Sequence, residues 1–156
     1  MIILAIDPGS TQSGWCRLPI TPGKEWCGVL PNVDLIAAIR DVLFCTVLVI
    51  ERFACYGMTI GQETIDAIEW GGAFKQTSTA PVITLFRREV KLAITGSPKA
   101  NDAAIRQAII DKFGGKENAI GSKSVPGPLR CVKADAWSAL ALAFTYQQRM
   151  ASDFHA

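Results

Sequence analysis

The sequence lacks any apolar run long enough to cross a membrane, since a spanning helix needs about 20 consecutive apolar residues and the runs present are far shorter. It has no basic, apolar leader ahead of the first apolar run, which begins at Ile2. Internal repeats and low-complexity tracts are also absent. We therefore expect a soluble, cytoplasmic protein in which residues 1–156 form a single domain, large enough to bury most of its apolar surface.

Histidine and paired cysteines are scarce as well. The only histidine, His155, is in the C-terminal tail, which argues against histidine-based catalysis. The cysteines are odd in number, and no two of them have the CxxC spacing of a zinc site. We expect reduced thiols, mostly in apolar segments, and neither a zinc site nor a disulfide framework. The five cysteines are Cys16, Cys27, Cys45, Cys55 and Cys131.

What the sequence does contain is a pair of acids at the ends of apolar runs. Five aliphatic residues, 2–6, predict a strand buried on both faces, and Asp7 follows them at a Pro-Gly turn. A second run, residues 46–50, ends in the same way at Glu51. If the two strands are parallel neighbours, the carboxylates emerge side by side, and their repulsion calls for a cation. For Asp7 alone, a turn-capping hydrogen bond is the other interpretation.

A third acid, Asp135, is near the start of a predicted C-terminal helix over residues 131–150. Small residues, among them Ser138, share its face, and such a face lets a helix lie close to a sheet. An acid in this position either turns toward a metal or interacts with the helix dipole in the first turn. Together with the two strand-end acids, it favours a metal site built from remote parts of the chain.

The remaining elements are predicted to alternate between strand and helix, which indicates an α/β fold with a five-stranded mixed sheet flanked by helices. Asn32 and Asn101 are the predicted caps of two helices. Residues 116–130, rich in Gly, Pro, Ser and Lys, predict a mobile loop, and residues 152–156 a frayed tail. The other predicted strands cover residues 14–18, 25–29 and 82–86, and the other helices cover 33–42, 60–76, 87–94 and 101–113.

Helical spacing also predicts which residues two of these helices bury against the sheet. In the first helix they are Val33, Ile36, Ala37, Ile39 and Val42. In the second they are Ile65, Ile68 and Phe74.

Charge is unevenly distributed, although the net charge is only +2. Between Lys75 and Lys133 there are eleven Lys or Arg against four Asp or Glu, an excess of seven positive charges. A basic half joined to an acid-bearing half indicates a polyanion that one region grips and the other handles. A solvated helix surface is the alternative interpretation of the same charges.

Three patches carry a family resemblance. Asp7-Pro8-Gly9-Ser10 with Gly14 follows the first strand, Ile50-Glu51 closes the fourth, and residues 133–143 are in the last helix. In this order and spacing, the patches resemble the RuvC family of Holliday-junction resolvases, and most closely its shorter bacteriophage members. The resemblance implies an RNase H-like fold and a homodimer in a bacterial or phage-infected host cytoplasm. It further implies a Mg²⁺- or Mn²⁺-dependent endonuclease of DNA recombination that cleaves Holliday junctions and other branched DNA.

The resemblance also assigns metal ligands, for two ions about 4 Å apart that activate a water and neutralise the leaving oxygen. By position, Asp7 would bridge both ions, Glu51 would hold one, and Asp135 the other. The bacterial resolvases carry a second Asp where this chain has Ser138, a much weaker ligand. Asp102 is the candidate replacement, unless it is a first-turn acid that stabilises its own helix.

DNA contact is expected from the basic half and from the aromatic residues that follow Glu51. The basic side chains would neutralise phosphates with little sequence preference. Phe53 and Tyr56 occupy the place where the family inserts a stacking aromatic at the junction centre, and the alternative for both is a position in the core. The predicted DNA-binding cations are Lys75, Arg87, Arg88, Lys91, Lys99 and Arg106.

Two other classes of function remain open. An ATP-binding phosphotransferase of the actin and sugar-kinase type shares the strand-then-acid opening, but 156 residues are too few for the two domains that such proteins need. A branched-DNA-binding protein with little or no catalysis is the second class, because Ser138 weakens the fourth ligand position.

Overall fold

A computed structural model describes residues 1–21 and 23–153 of the chain. Its strands are β1 (Ile3–Asp7), β2 (Gln12–Leu18), β3 (Cys27–Pro31), β4 (Val47–Arg52) and β5 (Val82–Phe86). They form one sheet in the order β3-β2-β1-β4-β5. The first three strands are an antiparallel meander, whereas β4 runs parallel to both β1 and β5. The predicted α/β class and five-stranded mixed sheet are confirmed, although β2 begins two residues earlier than predicted and β3 two residues later.

Helices cover both faces of this sheet. They are α1 (Asn32–Asp41), α2 (Gln62–Thr77), α3 (Arg87–Thr95), α4 (Asp102–Lys112), α5 (Lys116–Ala119) and α6 (Ala136–Asp153). Alternate residues of β1 enter two separate cores, because successive side chains of a strand point to opposite faces. Ile3 and Ala5 pack with α3 to α6, and Leu4 and Ile6 pack with α1 and α2. The first strand is therefore buried on both faces, as predicted.

Helix α6 lies closest to the sheet because its inner face is rich in alanine. Ala136, Ala139 and Ala143 are fully buried, and the helix packs across β1 and β2. Small side chains let the helix backbone approach the strands closely. This close packing brings the start of α6 to the end of β1, where Asp7 stands.

The segment predicted as a mobile loop, residues 116–130, is folded. It contains α5, and Ala119 and Leu129 within it are fully buried. Leu129 N donates a hydrogen bond of 2.8 Å to Ala119 O, so the two buried residues are also tied by backbone. Gly and Pro in this segment make the turns of a packed unit, which the composition alone does not distinguish from an open loop.

The predicted buried faces of two helices are partly wrong. On α1, Ile39 is buried as predicted, but Val33 and Val42 are exposed, and Leu35, which was not predicted, is fully buried. On α2, Phe74 is buried as predicted, but the side turned toward the core also carries small residues, Ala67 and Gly71. Ile65 and Ile68 are consequently exposed, at 38% and 43%. Small residues allow α2 to approach the sheet closely. A prediction based on the spacing of large apolar residues does not detect such a face.

The helix caps and the C-terminal tail agree only in part with the predictions. Asn101 caps α4, since its side chain accepts a hydrogen bond of 2.8 Å from Ala104 N. Asn32 is the first residue of α1 and does not cap it. The predicted tail at residues 152–156 begins inside α6, and residues 154–156, with His155, lie outside the described residues.

Within the described ranges, none of the helices combines the length and hydrophobicity that crossing a bilayer requires.

Candidate active site

The central feature of the site is the pair of acids at one edge of the sheet. Ile6 of β1 is paired with Ile50 of the parallel strand β4, so the next residues, Asp7 and Glu51, stand side by side. Glu51 is buried, with 8% of its surface exposed, and Asp7 is half-buried. The sequence-based expectation that the two carboxylates emerge together is therefore confirmed by the strand register.

The two carboxylates destabilise each other. Burial, the close contact with the Glu51 carboxyl group and the Glu51 charge raise the pKa of Asp7 well above its usual range. The charge of Arg87 opposes this rise, and the charge of Asp135 adds to it. The charges of both neighbouring acids thus act on Asp7 at this edge, and a bound cation would relieve that repulsion.

A close backbone crossing brings the main chain of Asp135 next to the site. A Cβ atom added at Gly14 would overlap the carbonyl group of Asp135 and lie 2.8 Å from Ala136 N. Gly14 is paired with Asp7 in the β1–β2 ladder, so the crossing places the Asp135 backbone directly beside the acid pair. Only a residue without a side chain permits this approach.

The predicted position of Asp135 within a helix is wrong. Helix α6 begins at Ala136, and the Asp135 carbonyl accepts hydrogen bonds from Ser138 N and Ala139 N, at 3.1 and 3.2 Å. Asp135 therefore precedes the first helical turn, with its side chain exposed. Ala134 before it has a left-handed backbone, at φ 44°, which turns the chain into the helix.

A buried polar network holds the turn that follows Asp7. Ser13 Oγ donates to Asn32 Oδ1 at 2.6 Å and accepts from Gly9 N at 3.1 Å. Asn32 Nδ2 donates to Gly9 O at 2.9 Å. Both side chains are almost fully buried, so the network fixes the turn rigidly. The predicted capping role of Asn32 is thus replaced by a role in orienting the residues next to the acid.

Asp7 and Glu51 line an open groove with a volume of about 320 Å³. Its walls carry both cations and aromatic rings, and Tyr56 at its mouth is 68% exposed while Phe53 is half-buried. Besides Asp7 and Glu51, the groove is lined by Pro8, Arg52, Phe53, Ala54, Tyr56, Phe86, Arg87 and Arg88. Both aromatic residues predicted to meet DNA therefore border the acids.

Arg52 was missed as a site residue by the sequence analysis. It is the last residue of β4, directly after Glu51, and its guanidinium lies 5.2 Å from the centre of the Phe86 ring. Its position in the ladder, paired with Phe86 of β5, fixes this contact. The signal in the sequence was its adjacency to Glu51 at the end of an apolar run.

A smaller cavity also borders Glu51, and the two candidates for the fourth ligand line it. Asp102 and Ser138 both line it, together with Glu51 and Arg87. Arg87 Nη1 is 3.6 Å from Glu51 Oε2, and Arg87 Nη2 donates a close hydrogen bond to Asp102 Oδ1. The predicted DNA-binding residue Arg87 is thus engaged by two carboxylates, one of them a candidate ligand.

The other predicted DNA-binding cations are spread more widely. Arg88 lines the groove, and Lys75 lines a neighbouring pocket with Glu51 and Phe53. Lys91 lies on α3 and Lys99 before α4. Arg106, on α4, stacks its guanidinium 4.8 Å from the centre of the Trp137 ring.

Two known structures share this arrangement of elements. Thermus thermophilus RuvC superposes with a TM-score of 0.64 at 18% identity, covering 97% of each chain. T. thermophilus RuvC in complex with a Holliday junction substrate gives 0.69 at 20% identity, covering 97% of this chain and 96% of that one. A fowlpox virus resolvase in complex with Holliday junction DNA aligns with a TM-score of 0.47 at 13% identity, over 96% of this chain and 99% of that one. No protein-family model and no curated protein matches the sequence.

The chain has the fold of RuvC. At 18 to 20% identity the likeness establishes the fold alone, and it confirms the RNase H-like architecture expected from the three sequence patches. The likeness to bacteriophage members of the family stays a prediction. In the RuvC fold of this chain, the acid pair at the ends of β1 and β4 lies in the open groove, with Asp135 brought near it by α6.

The donor chemistry of these residues fits a hard divalent cation. Asp7 and Glu51 supply adjacent carboxylate oxygens, which are the ligands that Mg²⁺ prefers, and their mutual repulsion is the electrostatic condition that a cation relieves. In the described part of the chain, no three Asp, Glu, Cys or His side chains are close enough to form a ready metal cluster. The exposed Asp135 side chain therefore has to turn toward the pair before all three acids share a site.

Proposed function

We propose that the chain is a divalent-metal-dependent endonuclease that cleaves four-way junctions and other branched DNA. The observation that supports it most strongly is the side-by-side pair Asp7 and Glu51, set in an open groove of a RuvC fold. T. thermophilus RuvC, which shares this fold, is known in complex with a Holliday junction substrate. That complex supports a four-way junction as the substrate class.

The proposed cofactor is Mg²⁺ or Mn²⁺, with two ions in the complete site. Asp7 and Glu51 would hold metal together, and Asp135, whose charge acts on Asp7, would be the third ligand. When bound, such ions lower the pKa of a water and stabilise the oxygen that leaves phosphorus. The contribution of the chain is to hold carboxylates on two rigid strand ends and to keep their positions fixed through the Ser13 and Asn32 network.

The proposed DNA path follows the groove. Arg52 and Arg88 stand on its walls beside the acids, and Lys75 is on the adjoining pocket. These cations suit a phosphate backbone. Phe53 and Tyr56 supply ring faces on which an unpaired base can stack, as junction opening requires. Lys91, Lys99 and Arg106 belong to the same proposal as more distant phosphate contacts.

A cleavage assay tests this function. The protein is incubated with a labelled four-way junction or a linear duplex of the same sequence, in Mg²⁺, Mn²⁺ or EDTA. We expect metal-dependent cuts in the junction and none in the duplex. Binding without cleavage in either metal would favour the alternative, a branched-DNA-binding protein, which the lack of a preassembled three-acid cluster in the described residues supports.

We also propose that the chain acts as a homodimer. A four-way junction presents two equivalent strands, which a two-fold symmetric dimer matches. Support comes from apolar residues on and before α2 that the fold leaves exposed, since exposed apolar patches mark interaction surfaces. They are Met58, Ile60, Ile65 and Ile68, of which Met58 is 70% exposed.

Replacing both isoleucines of the outer face of α2, Ile65→Glu and Ile68→Glu, is expected to give a monomer. In a symmetric dimer the two substitutions would bury two carboxylates from each subunit in the interface, which is strongly unfavourable. Sedimentation velocity at micromolar concentration measures the result. Leu92→Glu is the matched control, because Leu92 is an exposed apolar residue of α3 and not of α2. A double variant that sediments like the parental dimer would place the interface elsewhere.

A further inference from the structure

Arg87 is placed at the acid pair by the sheet itself. It is the first residue of α3 and directly follows β5, whose Leu85 is paired with Glu51 of the parallel strand β4. Because parallel strands end at the same edge of a sheet, Arg87 emerges beside Glu51. Its side chain is 39% exposed and its contacts are to carboxylates, so it is a half-buried cation and not a free surface residue.

The two carboxylates that Arg87 contacts hold it unequally. Nη2 donates a close hydrogen bond to Asp102 Oδ1, whereas Nη1 stands 3.6 Å from Glu51 Oε2, beyond hydrogen-bonding distance. A cation that binds Glu51 competes with the weaker of these two contacts. Arg87 can therefore lose the Glu51 contact and still be held by Asp102.

Arg87 also bridges Asp102 and the acid pair, because its guanidinium contacts both Asp102 and Glu51. Asp7 lines the groove, and Asp102 lines the smaller cavity, while Glu51 and Arg87 line both. A metal held by both Asp7 and Glu51 would lie on the groove side, because both acids line the groove. An Asp102 oxygen would have to displace the guanidinium to reach that metal, and would lose its charge-assisted hydrogen bond in doing so.

The chemistry of the guanidinium suits a permanent cation in this position. Arginine stays protonated in proteins, whereas a lysine near divalent ions can lose its proton. Its five N–H donors form a planar fork that matches two oxygens of a phosphate. With one nitrogen held by Asp102, donors remain for a phosphate group that enters the groove.

We propose that Arg87 is a catalytic residue that contacts the phosphate being cleaved, and that Asp102 is a positioning residue that holds its guanidinium and does not bind metal. This inference rests on the proposed nuclease function. Arg87 would stabilise the negative charge that builds up on the phosphate, and Asp102 would keep it there while ions occupy Asp7 and Glu51.

The test combines Arg87→Gln, Asp102→Asn and the double variant, with Mn²⁺ binding measured by calorimetry and junction cleavage measured in single turnover at saturating Mn²⁺. We expect adding Asp102→Asn to Arg87→Gln to leave Mn²⁺ binding unchanged. Arg87→Gln should cut about 100-fold more slowly, as loss of one stabilising donor does in other enzymes. The double variant should be no slower than Arg87→Gln, because Asp102 acts through Arg87.

Arg40→Gln is the matched control, since Arg40 is an exposed arginine of α1 that is ion-paired with Asp41. It should leave Mn²⁺ binding and cleavage unchanged. A loss of Mn²⁺ affinity of about tenfold or more on adding Asp102→Asn to Arg87→Gln, where no guanidinium is left for Asp102 to hold, would make Asp102 a ligand and overturn the proposal. The comparison is made in that background because removal of an outer-shell partner alone costs about 10- to 100-fold in affinity. If Asp102→Asn slows cleavage by the same factor in the Arg87→Gln background as in the parental chain, the two residues act independently, and that result would overturn the proposal as well.

Failure of the nuclease function can be told apart from failure of this inference. If the parental chain binds Mn²⁺ but cuts no branched DNA, the proposed function fails. The calorimetric comparison then still decides the role of Asp102. Unchanged Mn²⁺ affinity on adding Asp102→Asn to Arg87→Gln supports its role as the anchor of Arg87, and a loss of about tenfold in that background overturns that role.

Discussion

The Asp7→Asn variant is expected to lose junction cleavage by at least about 1,000-fold, because even a single electrostatic stabiliser is worth about 100- to 1,000-fold in other enzymes. Asp7 is the acid that faces both Glu51 and the groove. An asparagine keeps the shape of the side chain but removes the charge that a divalent cation needs. Binding of the junction itself should change little, because cations on the groove walls meet the phosphates.

The same substitution is expected to stabilise the fold when no metal is present. Asp7 is half-buried beside Glu51, and burial together with that carboxyl group raises the pKa of Asp7. Removing one of two repelling carboxylates should raise the unfolding midpoint in EDTA by about 3 °C, which corresponds to about 1 kcal/mol for a chain of this size. A gain in stability with a loss of activity is the signature of a functional acid.

The pH dependence of stability provides a second readout of this pair. Asp7 has a higher pKa in the folded chain than in the unfolded chain, so between the two values the folded chain holds a proton that the unfolded chain has lost. Stability in EDTA should therefore fall as pH rises from the ordinary aspartate pKa through the raised one. Asp7→Asn removes this contribution, and its stability should decrease less across the same window.

Differential scanning calorimetry in EDTA and single-turnover cleavage in Mn²⁺ measure these effects on the same samples. Asp41→Asn is the control, since Asp41 is an exposed acid of α1 whose partner is Arg40. It should leave cleavage unchanged and bring no gain in stability. Cleavage by Asp7→Asn at the parental rate would remove Asp7 from the mechanism.

The strand-end acids could be predicted from the sequence because two strong local signals agree. An uninterrupted aliphatic run predicts a strand buried on both faces, and an acid directly after it has to emerge at the edge of the sheet. Asp7 and Glu51 each follow such a run, and the parallel pairing of β1 and β4 then brings them together. Only the adjacency of the strands had to be assumed.

The position of Asp135 could not be predicted in the same way. The alanine-rich pattern continues smoothly into the helix, so the sequence does not show that α6 begins only at Ala136. What positions Asp135 is the crossing over Gly14, a contact between residues more than one hundred positions apart. Gly14 belonged to the motif that carried the family resemblance. The physical reason why this position has to be glycine lies in tertiary packing and not in the local sequence.

Contacts of this long-range kind also account for what else the sequence did not show. An isolated arginine in a basic region indicates a phosphate contact, but the sequence does not show that the fold gives Arg87 two carboxylate partners as well. Segment 116–130 was expected to be mobile because Gly and Pro mark turns, whereas the burial of Leu129 depends on neighbours remote in sequence. Local composition contains neither kind of information.

The Gly14→Ala variant is expected to lose activity through its effect on Asp135. The new methyl group would overlap the Asp135 carbonyl and lie 2.8 Å from Ala136 N, so the turn into α6 has to move. A displacement on the order of 1 Å at a catalytic group can cost about 100-fold in rate. Forcing an extra carbon into a packed site also costs about 1–3 kcal/mol of stability, or roughly 2–4 °C in the unfolding midpoint for each kcal/mol.

Gly72→Ala separates this effect from a general sensitivity to glycine substitution. Gly72 is an exposed residue of α2 with open space around its Cα, so alanine there should leave cleavage unchanged and stabilise the helix by about 0.5–1 kcal/mol. Mn²⁺ titration of Gly14→Ala separates loss of fold from loss of site. A folded variant with weakened Mn²⁺ binding supports Asp135 as a ligand that depends on the crossing. A folded variant that binds Mn²⁺ and cleaves at the parental rate would show that the acid pair works without Asp135, because the backbone that carries this acid cannot keep its place beside a Cβ atom at residue 14.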